Sequence, residues 1–144
     1  MPFNSFAPNT VIKSADINTN FGNAVHKTDA QLITNKVNVP ASIALSPSAS
    51  GTATCDLSLY NWFTINMPAG NITIAVSNAT VGQPFVIEIL QDGGGSRTVT
   101  WFTTIKWPLG VAPTLTTTAS KKDTFGFKVA SAGNYEGYII GQSL

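Results

Sequence analysis

The chain carries very little charge. Of its 144 residues, 10% are Asp, Glu, Lys or Arg, against about 25% in an ordinary soluble domain. Eight basic and seven acidic residues leave a net charge of +1. A near-neutral surface makes no field able to gather nucleic acid or an anionic membrane, so neither is an expected partner. Cysteine is almost missing. A single Cys55 excludes an internal disulfide, and with it the disulfide-stapled class of small secreted modules. Histidine is as scarce, with His26 alone. One His and one Cys cannot assemble a zinc set, and no Asp-rich loop resembles a calcium site, so no metal or cofactor is expected. Long apolar runs are lacking too. Nothing approaches the roughly 18 residues that cross a bilayer, and residues 1–9 show neither the basic start nor the apolar core of a signal peptide.

What fills the space is uncharged and polar: 18 Thr, 12 Ser and 12 Asn, beside 43% hydrophobic residues that include eight Phe, three Trp and three Tyr. That hydrophobic share builds a real core and excludes a wholly disordered chain. The composition is that of a neutral, Thr- and Asn-rich β protein of one-domain size.

The chain changes character at residues 37–40. Upstream it is polar and weakly helical. Pro2 and Pro8 keep the first residues out of a helix. Ser14 is a candidate N-cap, and Asp16 sets a negative charge in the first turn, at the positive end of the dipole. Ile17, Phe21, Val25, Thr28 and Leu32 follow at spacings of four, four, three and four, which makes one apolar stripe on a helix of about 20 residues. Such a helix is marginal alone in water. It needs a partner, either its own β domain or the same helix in neighbouring subunits.

Downstream, about eight strands are expected between Gly, Pro and Asn turns. They fall at 43–45, 54–66 with a bulge at the phase change near Tyr60, 72–76, 85–90, 97–102, 105–107, weakly at 114–118, and in a last hairpin of 123–130 and 135–142. Strands at this spacing without helices between them indicate an all-β fold, a β-sandwich or jelly roll of antiparallel strands with an N-terminal arm and short helix. Two parts are therefore expected: an arm and amphipathic helix over 1–38, and a β domain over 39–144.

No catalytic set emerges, and the chain is not expected to be an enzyme. His26 lies beside the stripe as a surface or interface residue. Cys55 sits in a strand with no histidine in range, so burial as a small apolar residue is its expected role. Seven carboxylates could hold a glycosidase pair. Glu88 stands out by interrupting an apolar strand, and it is expected either to point outward or to pair with Arg97 across a hairpin. The run Asp92-Gly93-Gly94-Gly95-Ser96 lacks the Lys of a phosphate loop and is followed by a strand, so it reads as that hairpin's loop. Asn71-Ile72-Thr73 and Asn78-Ala79-Thr80 are chance sequons in an Asn/Thr-rich chain. Trp62, Trp101, Trp107, Tyr135 and Tyr138 could line a sugar-binding face, since aromatic rings stack on sugars, although core packing is the ordinary role of each. Trp107 and Tyr135 are the candidates for stacking on a glycan.

Two segments resemble a known family. Phe6-Ala7-Pro8-Asn9-Thr10-Val11-Ile12-Lys13-Ser14-Ala15-Asp16-Ile17-Asn18-Thr19-Asn20-Phe21 resembles the N-terminal segment of tailed-bacteriophage fibre and virion structural proteins. Ile105-Lys106-Trp107-Pro108, Pro113-Thr114-Leu115-Thr116, Asp123-Thr124-Phe125-Gly126-Phe127 and Tyr135-Glu136-Gly137-Tyr138 resemble the ends of such fibre-like proteins. The resemblance implies a virion component assembled in the bacterial host cytoplasm, a symmetric oligomer and most often a homotrimer, with the major capsid protein or other virion proteins as partners. With residues 38–47 as the only linker there is no room for a shaft. A capsid decoration (cement) protein or short head fibre is therefore expected, bound through Phe3, Phe6, Ile12, Ile17, Phe21, Val25 and Leu32 as apolar anchors. The alternative is a tail-associated adhesin that binds host-surface glycans through Trp107 and Tyr135.

Overall fold

The computed structural model describes residues 41–144. The arm, the helix, His26 and the seven anchors expected over 1–38 lie outside the described residues. Nine strands follow in order: β1 (Ser42–Leu45), β2 (Thr52–Asp56), β3 (Trp62–Asn66), β4 (Ile72–Ser77), β5 (Pro84–Leu90), β6 (Val99–Thr100), β7 (Ile105–Lys106), β8 (Lys122–Ser131) and β9 (Asn134–Gly141). They make a six-stranded sheet, β1-β3-β5-β8-β9-β7, and a three-stranded sheet, β2-β4-β6. Among the described residues the only helical element is a short 3₁₀ turn at Pro108–Gly110.

The fold is all-β, but its pairing differs from the antiparallel one expected. Five of the seven strand pairs run parallel, and only β5–β8 and β8–β9 are antiparallel. From β1 to β6 the chain alternates between the sheets, and each strand pairs with the one two places before it. Paired residues lie 20 positions apart for Ser42 and Trp62, 21 for Thr52 and Thr73, 24 for Trp62 and Val86, and 27 for Ile72 and Val99. Parallel neighbours require a crossover, commonly a helix. Here the crossover is a strand of the other sheet, so the chain winds as a coil.

Two turns explain why the sequence pattern suggests otherwise. Residues 54–66 are not one bulged strand. At Asp56 the carboxylate Oδ1 accepts the Asn78 amide N–H at 2.9 Å, the Ser58 hydroxyl at 2.7 Å and the Ser58 backbone N–H at 3.0 Å. This local turn sends β2 and β3 into different sheets, and its hydrogen bonds, the one from Asn78 foremost, hold the Asp56 carboxyl below its ordinary value. The Gly-rich run after β5 is likewise no hairpin loop, because β5 and β6 belong to different sheets. The Gln91 side chain receives the Arg97 backbone N–H at 3.0 Å and donates to the Arg97 carbonyl at 2.9 Å. Asp92 accepts both Nε and Nη2 of Arg97, with the Gly94 and Gly95 N–H groups. The expected Glu88–Arg97 pair therefore does not form. Neither does a strand at 114–118.

Strand alternation delivers one core. Phe63 and Ile65 of β3, Phe85, Ile87 and Ile89 of β5, and Phe125, Phe127 and Val129 of β8 join Ala53 and Cys55 of β2 and Ile72 and Ile74 of β4 in a single cluster. Each such large side chain contributes about 1.5–3 kcal/mol on full burial. Phe85 stacks on Phe127 at 5.0 Å between ring centroids, so the coil and the β8–β9 hairpin share that contact. Cys55 is fully buried, and desolvation pushes its thiol up to about 12, in keeping with a packing role.

Asp123 fastens the C-terminal end. Its carboxylate accepts the backbone N–H groups of Thr116 at 2.6 Å and Ser143 at 2.9 Å. Lys122 and Leu144 exchange backbone hydrogen bonds beside it.

Candidate functional site

The outer face of the six-stranded sheet follows from the same alternation. Because Phe63, Phe85 and Phe127 point into the core, their neighbours point away. The register aligns Trp62 with Val86, Val86 with Gly126, and Gly126 with Tyr138 in one row across four strands. Trp62 is 38% exposed and Tyr138 49%. Ile140, two residues on, is 61% exposed and leans over Gly126, its Cδ1 3.1 Å from where a Cβ there would stand. Gly126 thus gives Ile140 room to lie low against the sheet between the larger side chains. The result is an apolar groove of about 510 Å³, walled by Trp62, Tyr138 and Ile140 and floored by Val86 and Gly126.

Polar groups flank it on both sides along the strands. On one side Glu88 accepts Lys122 Nζ at 2.6 Å and the Thr64 hydroxyl at 2.8 Å. Burial alone would raise the Glu88 carboxyl, but the hydrogen bonds from Lys122 and Thr64, with the Lys122 charge, bring it below its ordinary value. On the other side Lys128 stands 3.6 Å from Glu136 Oε2 as its register partner, and the Tyr138 hydroxyl donates to the same oxygen at 3.1 Å. That hydrogen bond, with the negative charge behind it, raises the Tyr138 phenol.

The two aromatic candidates from the sequence lie elsewhere. Tyr135 is 6% exposed, edge-on to Phe85 at 6.0 Å and to Phe102 at 4.8 Å. Trp107 packs half-buried among Trp101, Phe125 and Phe127, and Gly137 provides the clearance, since a Cβ there would come within 2.7 Å of its ring. The structure brings these two rings to the core side of β9 and turns Tyr138 to the other. Parity could have shown this. Tyr135 and Tyr138 are an odd number of positions apart in one strand, so they cannot share a face. Trp62 could have been found the same way from its place beside Phe63.

The five described carboxylates all hold structure: Asp56 its turn, Glu88 Lys122, Asp92 Arg97, Asp123 two backbone amides, and Glu136 Lys128. Among the described residues no group of three or more His, Cys, Asp or Glu side chains could hold a metal ion. Comparison of the chain with models of known families, with curated proteins and with solved structures returns no match.

Proposed function

We propose that the chain is a structural protein of a bacteriophage virion, a capsid decoration protein or short head fibre. It binds the capsid surface as a homotrimer through the arm over 1–38. In this reading the two sheets face each other as the layers of a sandwich and form the body that stands on the particle. The observation that carries the reading is the use of the charged groups. Each described carboxylate ties a turn, a loop end or a neighbouring strand, as in a body built to hold its shape. The low overall charge supports the same reading, because like copies pack side by side without mutual repulsion. The resemblance of residues 6–21 and 105–138 to virion proteins points to the particle as the place of assembly.

Deleting residues 1–38 tests this directly. The shortened protein is expected to lose co-sedimentation with capsids that lack the protein, and to keep the far-UV circular dichroism of a folded β protein. Capsid binding that survives the deletion overturns the assignment.

A further inference from the structure

We propose that the groove over Gly126 is a binding site for a neutral hexopyranose unit of a polysaccharide. The inference stands apart from capsid binding, since it concerns the sheet face and not residues 1–38. It also stands on residues other than Trp107 and Tyr135, whose rings pack at the core.

Size selects the occupant. Trp62 and Tyr138 are three strand spacings apart, roughly 14 Å, and the apolar floor runs about two residues, roughly 7 Å, along the strands. That area is on the order of 100 Å², far below the roughly 800 Å² per partner of a stable protein interface. A second copy of the chain would need far more surface. One or two sugar rings fit.

Chemistry agrees with size. A pyranose has an apolar C–H face and a rim of hydroxyls, so it calls for an aromatic surface with a few polar groups at the edge. Trp62 offers a partly exposed indole ring at one wall of the groove. Tyr138 and Ile140 close the other side, with Val86 and Gly126 at the floor. At the edge, both contacts of the Glu136 carboxylate fall on Oε2, which leaves Oε1 to accept a sugar hydroxyl. The Lys128 ammonium donates to a neighbouring sugar oxygen. Lys128 with Glu136, and Lys122 with Glu88, leave the rim without net charge, which favours a neutral sugar over an acidic one.

The test uses the full chain on an array of neutral glucose, galactose and mannose oligosaccharides, followed by tryptophan-fluorescence titration of the sugar that binds. Trp62→Ala and Tyr138→Ala are each expected to weaken binding at least tenfold, and Glu136→Gln several-fold, at unchanged melting temperature. Leu109→Ser, on the exposed 3₁₀ turn, is expected to change nothing. No binding to any sugar on the array overturns the proposal, and so does binding that survives Trp62→Ala. Self-association abolished by Trp62→Ala without sugar binding also overturns it, and assigns the face to a second copy. Trp62→Ala is expected to leave capsid co-sedimentation intact, so failure here is distinct from failure of the virion reading.

Discussion

The wound coil of β1 to β6 and the hairpin of β8 and β9 hold one core by different means. In the coil, partners are 20 to 27 residues apart and every pairing is parallel. In the hairpin, Ser131 faces Asn134 across a tight turn with Gly133 at φ +71. The coil therefore depends on side-chain clamps at its turns, at Asp56, Gln91 and Asp92, whereas the hairpin is joined by its own short loop. A local element reports itself in the sequence. A wound one does so only through its turns.

The strongest way to break the comparison is at the contact both regions share. Phe85→Ala removes the ring stacked on Phe127 and is expected to cost about 3–5 kcal/mol. Chemical denaturation should then still show a single transition at a lower midpoint. Two separate transitions would mean that coil and hairpin fold independently.

Two glycines sharpen it further. Gly95 (φ +64) and Gly133 (φ +71) have similar backbone conformations and different surroundings. A Cβ on Gly95 would collide with the Thr117 carbonyl oxygen, while nothing lies within 4 Å of one on Gly133. Gly133→Ala is expected to cost about 1 kcal/mol from its backbone conformation alone. Gly95→Ala adds a backbone collision and should cost at least about 2 kcal/mol. Equal losses in thermal melting would show that the coil turn yields as easily as the hairpin.

The smallest effect is electrostatic. The Glu88 carboxyl is held below its ordinary value of 4.5 in the folded chain. Its contribution is therefore fully present above that value and is lost as the pH falls through the lower folded value. Glu88→Gln should flatten the acid limb of a melting-temperature profile and leave the neutral limb parallel to that of the parent. An unchanged acid limb would place acid sensitivity in other carboxylates.

Much of the β domain was legible from residue order. The strands at β1, β4 and β5 and the closing hairpin lie where alternation and turn residues put them, and Cys55 is buried as expected of a small apolar residue with no histidine in range. The errors cluster where the chain changes sheets. At Tyr60 the phase change reads as a bulge, whereas the hydrogen bonds of Asp56 make a turn that carries the chain into the other sheet. At Asp92 the Gly-rich run reads as a hairpin loop, because nothing local tells that the next strand will pair with β4. Arg97 consequently meets Asp92, five residues away, and Glu88 meets Lys122, thirty-four residues away.

Residue order alone carries the near-neutral charge, the all-β class and the final hairpin. Each of these depends on composition or on neighbours within a few positions. Only the tertiary structure decided which strands lie side by side, that five of the seven pairs are parallel, and that Trp62 and Tyr138 face outward across Gly126 while Tyr135 is buried. The physical reason is range. A side chain's period is set by its own strand, but its partner across the sheet comes from a segment one full turn of the coil away.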